Sequence, residues 1–265
     1  MITNILHNAL LASNKNNKFD WYTPLTFTAQ KAKSTIKLTK IGSPDVNSLK
    51  YRTNINNIIS DWSTYPIDTV ITLTNVGDYV QFKNTKEQLS TSNNDYVQFV
   101  MTGIIAASGN IQSMHNYSHS CTDWCYSRMF YGCTSLTSAP ELPATTLARN
   151  CYDYMFYGCT SLTSAPELPA TTLVLACYAN MFRDCTSLTV APELPATNLT
   201  TSCYLVMFQH CTKLNYVKVG FTDWNELATS HWLDVVSSTG TFVCPTELPI
   251  QYGTSYIPYG WTVNP

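Results

Sequence analysis

The sequence predicts a multi-domain protein: an N-terminal all-β sandwich or barrel, then an α/β solenoid of 26-residue strand–turn–helix units, then a C-terminal cap. Three observations carry this. The stretch "MFYGCTSLTSAPELPATTL" runs from Met129 to Leu147 and returns unchanged from Met155 to Leu173. Cys125, Cys151, Cys177 and Cys203 stand 26 apart, each followed by Tyr, with Met-Phe and a second Cys further on. Residues 20–103 are instead short, alternating, β-branched and aromatic segments. A 26-residue unit cannot bury its own apolar face, so each copy serves as the core of the next. The expected division is a docking peptide at 1–20, a small antiparallel β domain at 21–103, a solenoid at 104–213, and the last repeat strand with its cap at 214–265.

The N-terminus lacks a basic region ahead of its apolar stretch, which Asn and His interrupt, so it does not read as a signal peptide. Ile2, Ile5, Leu6 and Leu10 share one helical face and suggest a segment that docks on a partner. In the β domain, "PLTFTAQ", "STIKLTK", "LKYRT", "DTVITLT", "DYVQF" and "YVQFVMTG" read as strands between turn clusters such as "IGSPD" and "NVGD". "ASGNIQSM" then reads as the first strand of the solenoid.

Within a unit the apolar positions fall at offsets 0, 1, 4, 5 and 8 from the first Cys, which fits one face of an α-helix. Leu136, Leu162, Leu188 and Leu214 open a short extended stretch that Pro140, Pro166 and Pro192 keep brief. The motif "CYxxMFxxCTSLTxAPELPATxL" closely resembles the BspA-like class of leucine-rich repeats, whose signature is a "MF.GC.SL" core. The resemblance covers about residues 110–220 and implies a curved solenoid, strands on one face and helices on the other. The last unit departs from it, with Asn215-Tyr216 for Thr-Ser and Lys218 for the proline. Such repeats belong to bacterial surface proteins and to proteins of gut bacteria and their phages. The whole chain is similar to virion-associated repeat proteins of gut bacteriophages.

All ten cysteines lie beyond residue 120. On a helix Cys125 and Cys133 would stand roughly 12 Å apart, too far for a disulfide, which needs α-carbons within about 7 Å. No CxxC pair or recurring His suggests zinc. Buried free thiols acting as small hydrophobes are expected. In the cap, "FTDWNELATSHWLDVV" reads as a helix N-capped by Thr222 or Asp223, with Trp224, Leu227, His231 or Trp232, and Val235 facing inward. "GTFVC" and "YIPYGWTV" read as closing strands.

Charge narrows the function. Residues 1–120 hold 10 basic and 7 acidic side chains, residues 121–265 hold 5 and 10, so a nucleic-acid partner is not expected. No segment reaches the roughly 18 apolar residues of a membrane span. No catalytic motif occurs, so neither an enzyme nor a cofactor is expected. Glu141, Glu167 and Glu193 recur at the repeat spacing and could line up as a cation ladder, though a solvated row explains them as well. The unit's variable positions supply the candidate binding residues: Arg128, Tyr131, Tyr154, Tyr157, Arg183 and Asp184. The resemblance implies a non-enzymatic head or tail fibre component of a phage particle, a homo-oligomer and possibly a trimer, touching virion proteins and a host surface protein or carbohydrate. A bacterial cell-surface adhesin and an intracellular interaction scaffold are the alternatives.

Overall fold

The computed structural model of the protein describes residues 20–86 and 88–265. The expected docking residues Ile2, Ile5, Leu6 and Leu10 lie outside that range. The first half forms β1 (Leu25–Ala29), β2 (Ser34–Ile41), β3 (Leu49–Ile55), β4 (Ile58–Ile59), β5 (Ser63–Thr64), β6 (Ile71–Leu73), β7 (Tyr79–Asn84), β8 (Tyr96–Thr102) and β9 (Ile105–Ser108). Each of the six segments read as strands contains or overlaps one of these. β10 (Leu136–Ser138), β11 (Tyr216–Lys218), β12 (Gly240–Val243) and β13 (Trp261–Asn264) follow.

Two sheets face each other in the first half. One runs β10-β9-β1-β7-β3-β4, with β5 also on β3; the other runs β6-β2-β8. Alternation selects the inner faces: Ile36 and Leu38 of β2 pair with Met101 and Phe99 of β8, and all four are buried. Phe99 lies 4.6 Å from Phe27 and 5.2 Å from Phe82, joining the layers. β10 pairs with β9 in parallel, so the larger sheet is mixed and open, and no barrel closes. "ASGNIQSM" divides: β9 ends at Ser108, and Ile111–His115 is a short 3₁₀ helix capped by Asn110.

The repeat region overturns the expected α/β solenoid. Among the described residues there is no α-helix. The segments read as helices are chains of overlapping turns. The amides of Cys125, Ser127, Met129, Tyr131 and Cys133 each donate to the carbonyl three residues back, at 3.0–3.2 Å. The amides between them, of Tyr126, Arg128, Phe130 and Gly132, donate to Cys151, Asp153, Met155 and Tyr157 of the next coil, at 2.7–3.0 Å. Every fourth residue takes a positive φ, at Trp124, Arg128 and Gly132, then Asn150, Tyr154 and Gly158, and likewise in the next two coils. A positive φ at the third position of every second turn brings the next amide out toward the neighbour. The offsets 0, 1, 4, 5 and 8 therefore report a period of four residues, which the 3.6-residue helix matches over so short a span.

The stacking sorts the core into columns. Phe130, Phe156, Phe182 and Phe208 stack at 5.2–5.6 Å, and Phe99 of β8 extends the row at 5.5 Å. Tyr126, Tyr152, Tyr178 and Tyr204 stack at 5.5–6.1 Å and end on Trp232. All ten cysteines are free and buried. The second of each pair donates its thiol to a Phe carbonyl of the preceding layer, Cys133 to Phe99 of β8, then Cys159 to Phe130 and Cys185 to Phe156 of the coil before, each at 3.1 Å. The helix-based distance argument against disulfides falls with the helix. Cys125 and Cys133 are kept apart because they occupy different columns and address different carbonyls, those of Cys151 and Phe99. Burial pushes the Cys177 and Cys211 thiols up to about 12, so both stay protonated.

The cap helix is also absent. Residues 222–237 continue the turns as a final coil, with Val206, Phe208 and His210 donating to Ser230, Trp232 and Asp234. Trp232 faces inward and is fully buried, Trp224 is partly buried against the core, and Leu227, His231 and Val235 are exposed. β11, β12 and β13 close the end as a parallel sheet.

Two predictions follow from the columns and the turns. Phe156→Ala opens a hole between Phe130 and Phe182 and should cost about 3–5 kcal/mol in urea unfolding. Val206 is a β-branched residue held at φ 56°. Val206→Asn should raise stability by about 1 kcal/mol, because Asn enters the left-handed region more readily.

Candidate functional site

The turns decide which variable side chains point out. In the first three coils, the residue two after the first Cys points inward: Ser127, Asp153 and Ala179 are all buried. The next residue has a positive φ, and Arg128 and Tyr154 project from there, half-buried. Three positions further on, Tyr131, Tyr157 and Arg183 form a parallel outer row.

These side chains lock together. Tyr131 and Tyr157 stack at 4.7 Å with 5° between ring planes. Tyr154 lies 5.6 Å from Tyr157 and 6.3 Å from Tyr131. The Arg128 guanidinium sits 4.7 Å from the centre of Tyr154, and that of Arg183 sits 5.6 Å from Tyr157. Asp184 Oδ2 is 3.7 Å from Arg183 Nε, and its Oδ1 is 2.8 Å from His210 Nδ1. Asp184 also engages the Tyr157 hydroxyl and pushes its pKa up. The six candidate binding residues form one continuous surface.

Sequence reasoning missed three contributors. Tyr96 of β8 brings a second ring to Arg128, 5.6 Å from its guanidinium, and Gln98 Nε2 donates to the Tyr131 carbonyl at 2.7 Å. Neither belongs to the repeat, so alignment on cysteine could not find them. Asp153 was visible as the one ionisable residue in its column, between Ser127 and Ala179. Burial pushes its carboxyl up to about 7, opposed by the charge of Arg128 and by Asn180, whose Nδ2 lies 3.4 Å from Asp153 Oδ1.

The glutamate row has a different character. Glu141, Glu167 and Glu193 are exposed, and Lys218 forms an ion pair with Glu193 at the end of the row. Crowding and the charge of Glu167 push the Glu141 carboxyl up. Among the described residues no three acidic, His or Cys side chains converge to hold a metal ion. An open cleft of about 380 Å³ beside Asn198, Asp223 and Trp224 has one ionisable side chain in its lining and so offers no acid–base pair.

The BspA type leucine rich repeat region matches residues 51–189 and 108–228, in six copies. The chain belongs to that family. Its matched range begins inside β3, consistent with the way β8 and β9 stack on the first coil of the BspA-type repeats. Comparison with curated proteins and with solved structures gave no match. Membership supports a protein-binding or adhesion role for this repeat protein.

Asp153 makes stability depend on pH. Its folded pKa lies above the unfolded value, so the folded state holds the extra proton between about pH 4 and pH 7, and stability falls as pH rises through that window. Melting curves should show this fall in the wild type and a flatter profile for Asp153→Asn, with the variant about 2 kcal/mol more stable at pH 8.

Proposed function

We propose that the protein is a non-enzymatic binding protein whose stacked coils hold the Arg128–Asp184 surface rigid for a macromolecular partner. The observation that carries this reading is the mutual locking of Tyr131, Tyr154, Tyr157, Arg128 and Arg183. Tyr and Arg dominate protein interaction hot spots, and side chains already fixed in place lose little entropy on binding. The geometry favours a protein partner over a carbohydrate. A sugar ring stacks on an open aromatic face, whereas here Tyr131 and Tyr157 each give one face to the other and Arg128 occupies a face of Tyr154, which reduces the stacking surface.

The place of this surface is proposed from the sequence resemblance: a head or tail fibre component of a phage particle, carried as a symmetric homo-oligomer, possibly a trimer. Family membership supports an adhesion role, which a bacterial cell-surface adhesin would fill. Gold-labelled antibody to residues 121–265, applied to cells making the native protein, separates the two by labelling virus-like particles or the cell envelope. The binding surface has its own test, in which the purified chain is scored for attachment to bacterial cells. The double variant Tyr131→Ala/Tyr157→Ala should bind at least about tenfold more weakly with its circular dichroism unchanged. Equal attachment by the variant would remove this surface from the function.

A further inference from the structure

The half of the chain from residue 121 onward carries five cations against ten carboxylates. Arg149 pairs with Asp123, Arg183 with Asp184 and Lys218 with Glu193. Arg128 and Lys213 have no carboxylate within ion-pair distance among the described residues, and the two differ in kind. Lys213 is exposed. Arg128 is clamped, with its guanidinium 4.7 Å from Tyr154 and 5.6 Å from Tyr96. Its Nη1 is 3.4 Å from Ser127 Oγ, and its backbone amide is fixed to Asp153 of the next coil at 3.0 Å. The nearby Asp153 carboxyl is buried, turned toward Asn180, and partly protonated near neutrality, so it quenches the arginine incompletely. A planar guanidinium in contact with two rings and a hydroxyl has restricted orientations, and its fork of N–H donors matches a carboxylate.

We propose that Arg128, braced by Tyr96 and Tyr154, is the receptor for a carboxylate side chain in a short acidic peptide segment of the protein partner. This rests on the binding surface of the preceding subsection and names its chemistry. A short segment fits better than a long polyanion. The ten carboxylates of this half would repel a polyuronate or nucleic acid laid across it, while one or two acidic side chains meet only the local positive spot. Tyr131, Tyr154 and Tyr157 each give a ring face to a neighbour, which leaves an acidic sugar less stacking surface than open rings would.

The test uses the full chain and a fluorescein-labelled peptide carrying three consecutive glutamates, followed by anisotropy at low salt. Binding is expected, about tenfold or more tighter than for the same peptide with glutamines, and weakening as salt is raised. Arg128→Gln should lower affinity about tenfold. Arg128→Lys should recover only part of that loss, because an ammonium cannot form the paired contact. Arg149→Gln, which changes an exposed pair elsewhere, should leave affinity within about twofold. The proposal is overturned if the glutamate peptide fails to bind, if Arg128→Gln binds as the wild type does, or if an oligoglucuronate binds as tightly as the peptide. If any of these occurs while Tyr131→Ala/Tyr157→Ala still loses cell attachment, the binding surface stands and its carboxylate specificity falls. If the double variant also attaches normally, both are wrong.

Discussion

The solenoid depends on one division of backbone hydrogen bonds: alternate amides close a turn within their own coil, and the amides between them bond to the next coil. An α-helix would spend every amide internally and leave neighbouring units to meet through side chains alone. Here the backbones themselves set the spacing, and equivalent residues are brought into register one above another. A stacked position then tolerates little change in size, because each ring rests on its copy. This accounts for the near-verbatim repeats and for the identical Phe, Tyr, Met, Cys and Leu columns. The division has a cost in backbone conformation. Every fourth residue enters the left-handed region, and in the first two coils glycine fills the last of these positions, at Gly132 and Gly158. The others are L side chains, each at a cost of roughly 1–2 kcal/mol that the inter-coil bonds must offset.

The same register explains the cysteines. A tightly stacked column has room only for a small apolar group, and a thiol supplies that along with a weak donor. Cys133 places that donor 3.1 Å from the Phe99 carbonyl of β8, and Cys159, Cys185 and Cys211 place theirs 3.0–3.1 Å from a Phe carbonyl of the preceding coil. The β domain joins the column system directly. Phe27 and Phe99 continue the Phe row, and the Phe99 amide bonds to the Met129 carbonyl at 2.8 Å. One core therefore runs from the facing sheets into the coils.

A rigid stack is also a display device. Positions that point outward are free of the core's demand for identity, and the sequence varies there. In coils one to three those positions carry Arg, Tyr and Asp side chains that brace one another across coil boundaries. Asp153 breaks the pattern by placing a carboxyl in a buried column, directly beneath that surface. Departures of this kind from local consistency tend to gather where a protein binds or reacts.

The sequence by itself determined the repeat, its 26-residue period, which residues of the repeat are core, where most strands of the first half begin, and which variable side chains are candidates for contact, whereas Leu227 and Val235 of the cap, read as inward, are exposed. Each of these is a matter of spacing and residue type along the chain. The backbone path between those residues could not be read the same way. Apolar offsets of 0, 1, 4, 5 and 8 fit both a helix and a train of four-residue turns, and the two differ only in where alternate amides find their acceptors, 25 residues away. The arrangement of Tyr96 against Arg128 was likewise decided by tertiary structure, because it joins a strand outside the repeat to the first coil. Periodicity records which residues face inward; hydrogen-bond partners distant in sequence leave no trace in it, and those partners chose turns over helices here.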